Sequence, residues 1–130
     1  MTTILVIDDH PIFRKSLDRL LRTYGNYEVV TAASSEQALE MVQHNKFDLA
    51  LIDVSLPARS GIWLVERIRE VRPELPCLML SGLANMVYVQ QSIEAGARGY
   101  VLKDDVPGIT EGIRVVLDGG TFISDALAAT

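Results

Sequence analysis

Short apolar runs alternate along the chain with longer stretches in which apolar residues recur every three or four positions. The runs predict strands at residues 3–7, 27–32, 47–53, 76–80 and 100–102. The intervening stretches predict five helices, whose buried stripes are Phe13, Leu17, Leu20, Leu21 and Tyr24; Ala38, Leu39 and Val42; Leu64, Val65, Ile68 and Val71; Met86, Val89, Ile93 and Ala97; and Val106, Ile109, Ile113, Val116 and Leu117.

Strand and helix alternate with short connections, and this pattern favours a parallel sheet that is covered by helices on both faces. The run from Leu49 to Ile52 contains no polar residue, as expected for a strand that is buried on both sides. We therefore predict an α/β fold with a doubly wound parallel sheet, in a flavodoxin-like (βα)5 arrangement with strand order 2-1-3-4-5. In that order the first and third strands are neighbours at the switch point, where ligands bind.

Composition limits the classes of function that the chain can have. Its 130 residues fit one domain with a real core, and 48% of them are hydrophobic. The net charge of −5 argues against nucleic-acid or anionic-membrane binding by this chain alone, because both need clustered Lys and Arg. The single cysteine, Cys77, lies in an apolar run, which favours a buried and unreactive thiol. With no signal-peptide pattern and no membrane-length apolar segment, we expect a cytoplasmic protein.

Polar residues follow four of the predicted strands at their carboxyl ends. Asp8 and Asp9 follow the first strand, Asp53 ends the third, Ser81 follows the fourth and Lys103 follows the fifth. Each has an ordinary explanation of its own, as a helix cap, a turn residue or a solvated lysine. Together they predict a shallow cleft in which three carboxylates converge. Such a cluster needs a cation, and oxygen ligands with open positions suit Mg²⁺.

This combination resembles the receiver domain of two-component response regulators, which has the CheY-like version of the fold. The residues that carry the resemblance are Asp8-Asp9, Asp53-Val54-Ser55-Leu56-Pro57 with Gly61, Ser81-Gly82, and Tyr100 followed by Lys103. The resemblance implies that Asp53 accepts a phosphoryl group from a sensor histidine kinase. It also implies that Asp9 and Asp53 ligate Mg²⁺ directly, that Asp8 acts through water and that the backbone carbonyl of Ser55 is a further ligand.

The resemblance further implies that Lys103 pairs with one phosphoryl oxygen and that Ser81 donates a hydrogen bond to another. Many receivers have a proline after this lysine, often with a cis bond, whereas here Asp104 follows. A cis peptide bond without proline costs about 2.5–4 kcal/mol. The sequence therefore does not define the backbone conformation that orients Lys103. The position of Ser55 tunes the phosphoryl lifetime in the family, and that lifetime is not predicted.

Three further motifs look like regulators of the NarL/FixJ type, which carry a LuxR-type DNA-binding output domain. They are Asp9-His10-Pro11, Lys103-Asp104 and the segment 119–124. We expect residues 1–118 to form the receiver and residues 119–130 to be a tail that begins a linker to an output domain. The alternative is a stand-alone receiver that acts through protein contacts. Either would be a signalling switch with a possible phosphorylation-dependent homodimer, and not an enzyme beyond its own phosphorylation and dephosphorylation.

Two rival functions use similar parts. A phosphatase of the haloacid-dehalogenase kind needs a second carboxylate two residues after the nucleophilic aspartate, and Ser55 stands there. A flavin-binding module needs a Ser/Thr/Gly-rich loop after the first strand, where this chain has an acidic one that would repel phosphate. The switch is therefore the favoured interpretation.

The remaining aromatic and histidine residues carry weaker signals. His10 and His44 are too isolated in the sequence to predict a catalytic triad or a metal cluster. Trp63 and Tyr88 are typical of packing or interface positions. Tyr100 is either the rotating aromatic of the family or a half-buried tyrosine at the sheet edge.

Overall fold

The structure is a computed structural model that describes residues 1–128. Strands and helices follow one another throughout, in the order predicted from the apolar pattern. The elements are β1 (Thr3–Ile7), α1 (Pro11–Tyr24), β2 (Glu28–Ala32), α2 (Ser35–His44), β3 (Leu49–Asp53), α3 (Gly61–Val71), β4 (Cys77–Ser81), α4 (Met86–Ala95), β5 (Gly99–Leu102), α5 (Val106–Leu117), β6 (Phe122–Ile123) and α6 (Asp125–Ala128).

All strands pair in parallel, in the order β2-β1-β3-β4-β5-β6. The predicted order 2-1-3-4-5 is confirmed, and the sheet continues by one strand. In the register of β1 and β3, Ile7 lies opposite Ile52. The next residues, Asp8 and Asp53, therefore lie side by side at the carboxyl edge of the sheet.

Helices cover both faces of the sheet, and each face has its own apolar cluster. Side chains of α2, α3 and α4 pack on one face, and side chains of α1 and α5 pack on the other. All five residues of β3 and of β4 are buried, which explains why these runs lack the alternating pattern of a half-exposed strand. Between two closed faces, the carboxyl edge of the sheet is the place where the polar side chains of the strand ends collect.

Several apolar residues that were predicted to be buried lie on the surface. They are Tyr24, Val71, Met86, Ile93 and Val106. In α4 the buried face is instead formed by Val89, Ser92 and Ala95. The Ser92 hydroxyl donates to the carbonyl of Tyr88 at 2.7 Å, so this polar group is satisfied inside the fold. Periodicity marks an apolar stripe but does not show which of its edges meets the sheet.

The segment after α5 adds two elements that the apolar pattern did not predict. The strand β6 pairs with β5, with Phe122 opposite Gly99 and Ile123 opposite Tyr100. The buried Ser124 donates its backbone N–H to the Tyr100 carbonyl at 3.0 Å, and its hydroxyl accepts from the Leu102 N–H at 3.1 Å. A two-residue strand is too short to show a period of two. The described part of the tail therefore lies on the sheet, and residues 129–130 are outside the described residues.

Within residues 1–128, the helices are too short or too polar to be candidates for crossing a bilayer.

Candidate functional site

Asp53 ends β3 at the bottom of the cleft, and its side chain is only 1% exposed. Its Oδ1 accepts a hydrogen bond from the Ser55 N–H at 3.0 Å, and its Oδ2 lies 3.0 Å from the Lys103 ammonium. Burial raises the pKa of Asp53, and the bonds from Lys103 and Ser55 only partly oppose that effect. Asp53 is therefore a buried carboxylate whose charge is incompletely balanced.

Asp8 is fully buried beside Asp53, whereas Asp9 lies at the mouth of the cleft with its side chain 33% exposed. The Oδ2 atom of Asp8 is 2.8 Å from the Lys103 ammonium. One ammonium thus serves two buried carboxylates. The structure places Asp8, Asp9, Asp53 and Lys103 together, as predicted. The prediction succeeds because the carboxyl ends of neighbouring parallel strands lie at one edge of the sheet.

The peptide bond between Lys103 and Asp104 is trans, and the Lys103 ammonium still contacts both carboxylates. The orientation of Lys103 therefore does not depend on a following proline. Its backbone N–H donates to the Ser81 carbonyl at 2.8 Å, which fixes the start of the side chain. Burial acts to lower the pKa of Lys103, but the bonds to Asp8 and Asp53 outweigh it and the pKa is raised. Lys103 is therefore held in its charged form.

His10 also belongs to this cluster, and the prediction that it is isolated was wrong. Its Nδ1 lies 3.0 Å from Asp8 Oδ1, 3.4 Å from Asp9 Oδ1, 3.7 Å from Asp53 Oδ2 and 3.3 Å from the Lys103 ammonium. Distance along the chain does not show the partners on neighbouring strands, and those partners bring Asp53 and Lys103 to His10. The signal that was missed is its place directly after Asp8-Asp9.

Ser81 ends β4 and is buried. Its hydroxyl accepts from the Leu83 N–H at 3.0 Å and donates to the Leu83 carbonyl at 3.2 Å. In this state the hydroxyl is bonded to the loop after β4. To donate elsewhere, it would have to release the Leu83 carbonyl.

Tyr100 is fully buried, so neither a half-buried edge position nor an outward ring describes it. Its hydroxyl donates to the same Leu83 carbonyl at 3.5 Å. Burial raises the pKa of this phenol, which is un-ionised at neutral pH. Ser81 and Tyr100 thus converge on one carbonyl of the loop that borders the cleft.

Gly61 packs directly against the backbone of Asp53. A Cβ atom at Gly61 would lie 2.1 Å from the Asp53 carbonyl oxygen, which no real side chain permits. The Gly61 N–H donates to the Val54 carbonyl at 3.0 Å and begins α3 at this point. The glycine therefore sets the path of the loop that carries Asp53.

Gly61→Ala is expected to lower the free energy of unfolding by about 1–3 kcal/mol, because the backbone has to shift to relieve the contact. Gly82→Ala is the matched control, since a Cβ at Gly82 would meet nothing within 4 Å. Urea denaturation of both variants measures the difference. Equal loss in the two variants would show that the contact between Gly61 and Asp53 is not tight.

The acidic residues have the geometry of a cation site. Ligand atoms of Asp8, Asp9, His10 and Asp53 all lie within 4.8 Å of one another. The Oδ1 atom of Asp9 is buried and has no hydrogen-bond partner, whereas the Oδ2 atom of Asp8 has the Lys103 ammonium 2.8 Å away. A buried carboxylate oxygen without a donor fits a divalent cation, because an ion supplies the missing positive charge.

The other candidate residues do not take part in this cluster. Cys77 is buried, and burial raises the pKa of its thiol to about 12, which confirms an unreactive cysteine. His44 lies at the end of α2, where its Nδ1 is 2.9 Å from the Glu40 carbonyl. Trp63 and Tyr88 pack against the core, as predicted.

Comparison with known proteins agrees with this fold. A family model described as the response regulator receiver domain matches residues 4–114. The transcriptional regulatory protein DegU of Brevibacillus brevis is 33% identical over 122 residues, which are 92% of this chain and 52% of DegU.

The chain is also similar to solved structures of response regulators, among them two crystal structures. A LuxR-family two-component response regulator from Aurantimonas sp. SI85-9A1 matches with a TM-score of 0.94 and 30% identity, over 99% of this chain and 94% of that one. A response regulator from Burkholderia pseudomallei, solved with a phosphorylated aspartic acid, calcium ion and citrate, matches with a TM-score of 0.81 and 28% identity, over 92% and 70%.

The chain belongs to the receiver domain family of two-component response regulators. Its relatives are LuxR- and NarL-type regulators, as the motifs predicted. The family is a signalling switch, which favours that interpretation over the phosphatase and the flavin module. The chain spans about half the length of DegU.

Proposed function

We propose that this chain is a phosphorylation-activated switch, in which Asp53 accepts a phosphoryl group from a sensor histidine kinase. The observation that carries the proposal is the position of Asp53, buried at the carboxyl end of β3 with the Lys103 ammonium 3.0 Å from its Oδ2. The phosphorylated aspartic acid in the Burkholderia pseudomallei regulator supports it.

In the transfer step, an oxygen of the Asp53 carboxylate forms a bond to phosphorus. The bond between phosphorus and the donor breaks, and its electron pair leaves with the donor, an imidazole of the kinase or the acetate of acetyl phosphate. Lys103 pairs with a phosphoryl oxygen, where its charge balances the incoming group. Hydrolysis later returns the carboxylate and inorganic phosphate.

The Ser81 hydroxyl is poised to bond another phosphoryl oxygen once it releases the Leu83 carbonyl. The distance of 3.2 Å between these atoms supports a weak and exchangeable bond. Tyr100 already occupies the inward position, so rotation of its ring from outside is not needed. We infer that phosphorylation changes the loop after β4 through Ser81.

The acidic cluster would hold Mg²⁺: Asp9 and Asp53 would be direct ligands, Asp8 would act through water, and the Ser55 carbonyl would be a further ligand. When bound, Mg²⁺ neutralises carboxylate charge and allows an anionic donor to approach Asp53. Beyond its own phosphorylation and dephosphorylation, we assign the chain no catalytic turnover.

The proposed cellular role follows the relatives. We propose that residues 1–118 form the receiver, in the cytoplasm, and that residues 119–130, which extend its sheet through β6, begin the connection to a DNA-binding output domain. A phosphorylation-dependent homodimer would fit this role. The net charge of −5 argues against DNA binding by this chain alone, because DNA is itself negatively charged.

The test is incubation of the chain with acetyl phosphate and Mg²⁺, followed by intact mass measurement. We expect one phosphoryl group to be gained, because the parts needed for transfer lie in the receiver itself. Addition of EDTA is the control and is expected to suppress the gain. Phosphorylation at the same rate with EDTA would contradict the role of the cation.

A further inference from the structure

The imidazole of His10 lies over the carboxylate cluster in a fixed position. His10 is the N-cap residue of α1 and precedes Pro11, which restricts it to an extended backbone, with φ −90° and ψ 106°. Its backbone N–H donates to Asp8 Oδ1 at 2.8 Å, and its Nδ1 lies 3.0 Å from the same oxygen. The ring is therefore anchored at the cluster, although its side chain is 62% exposed.

The Nδ1 atom of His10 lies close to the carboxylate oxygens of Asp9 and Asp53 that would hold a cation. Its distances to Asp9 Oδ1 and Asp53 Oδ2 are 3.4 and 3.7 Å. Ligand atoms that share one ion at about 2.0–2.2 Å lie within about 4.4 Å of each other, so His10 is within ligating range. The buried Asp9 Oδ1, which has no hydrogen-bond partner, points independently to an ion at this place.

We propose that His10 Nδ1 is a ligand of the divalent cation in this cleft, and that it makes the site prefer transition ions such as Co²⁺ and Zn²⁺ over Mg²⁺. The inference rests on the cation site of the proposed function and adds a nitrogen ligand to it. An imidazole suits Zn²⁺, Ni²⁺ and related ions, whereas Mg²⁺ demands oxygen ligands and keeps several waters.

This nitrogen ligand sets a specific pattern of affinities. If only oxygen atoms held the ion, removal of the His10 imidazole would leave the ratio of the Co²⁺ and Mg²⁺ affinities unchanged. With His10 as a ligand, Co²⁺ gains a bond that Mg²⁺ does not use. Loss of the imidazole therefore weakens Co²⁺ and Zn²⁺ selectively, while Asp8, Asp9 and Asp53 continue to hold Mg²⁺.

The experiment is calorimetric titration of the full chain with Co²⁺ and, separately, with Mg²⁺, for wild type, His10→Gln and His44→Gln. We expect His10→Gln to weaken Co²⁺ binding by about 10-fold or more and Mg²⁺ binding by less than about 3-fold. His44→Gln is the matched control, because the chain has two histidines and His44 lies away from the cleft. It is expected to change neither affinity.

A second measurement uses wild type alone and does not depend on the folding of a variant. In ¹⁵N-histidine spectra, addition of Zn²⁺ is expected to shift the Nδ1 resonance of His10 and to leave His44 unchanged. Equal loss of Co²⁺ and Mg²⁺ affinity in His10→Gln, or an unshifted Nδ1, would overturn the inference. Failure of Mg²⁺ to bind any variant would instead contradict the proposed function, whereas a shifted Nδ1 would still support His10 as a ligand.

Discussion

Asp53→Asn is expected to abolish phosphoryl incorporation from acetyl phosphate and, at the same time, to raise the free energy of unfolding in the absence of divalent cations. The amide cannot form the acyl phosphate, so no mass gain should remain. The gain in stability should be about 1–2 kcal/mol, because the substitution removes a buried charge that is incompletely balanced. Asp8 and Asp53 share a single ammonium, and Asn leaves Lys103 with Asp8 alone.

The pKa of Asp53 gives the sign of this effect. Burial raises the pKa of Asp53 above its ordinary value of 3.8, so the folded state holds the proton more tightly than the unfolded state. The contribution of protonated Asp53 to the free energy of unfolding is fully present below pH 3.8. It is lost as the pH rises through the folded-state pKa of Asp53. At neutral pH the ionised carboxylate therefore costs stability, and Asn removes that cost.

Urea denaturation with EDTA and with Mg²⁺ measures the difference, and intact mass reports phosphorylation. Asp104→Asn is the matched control, since this neighbouring carboxylate is exposed and should change neither property. Saturating Mg²⁺ should remove the advantage of Asn over Asp. Phosphorylation that persists in Asp53→Asn would place the acceptor elsewhere, and a loss of stability would show that the Lys103 pair outweighs burial.

Asp9→Asn is expected to weaken Mg²⁺ binding by about 10- to 100-fold, whereas Lys103→Ala should leave it unchanged or tighten it. Asp9 offers a buried oxygen with no hydrogen-bond donor, and removal of its charge takes away a ligand. The Lys103 ammonium lies between Asp8 and Asp53, where it competes with an added cation for the same oxygens. Loss of the lysine should instead impair the phosphorylated state.

Mg²⁺ titration followed by thermal unfolding separates the two variants. A ligand that binds only the folded state at 100 times its dissociation constant adds about 2.7 kcal/mol, so wild type and Lys103→Ala should gain stability where Asp9→Asn does not. Equal loss of Mg²⁺ affinity in both variants would show that the roles assigned to Asp9 and Lys103 are wrong.

The sheet order and the convergence of Asp8, Asp9, Asp53 and Lys103 could be predicted from the sequence, because they follow from parallel strands that end at one edge. The inward state of Tyr100 could not. It depends on the conformation of the loop at Leu83, and sequence patterns do not define that loop. The same limit applies to the Ser81 hydroxyl, whose place at the carboxyl end of β4 was predicted but whose bond to the Leu83 carbonyl was not.

Two further differences arise from interactions between elements that are distant in sequence. His10 meets Asp53 and Lys103 only after the strands pair, so in the sequence only its place directly after Asp8-Asp9 indicates the cluster. Met86 and Ile93 follow a helical period, yet the buried face of α4 is formed by Val89, Ser92 and Ala95. In both cases the tertiary partner decides, and the local pattern allows more than one outcome.

The pairing of β5 with β6 decides where this receiver can be joined to other domains. A polypeptide cut after Leu117 would lose β6 and Ser124, and the outer edge of β5 would present unpaired backbone groups, among them the Leu102 N–H. An open edge of this kind is a template for pairing with strands of other molecules and for aggregation. Chimaeras of this receiver should therefore be joined beyond Ala128, where the edge is covered.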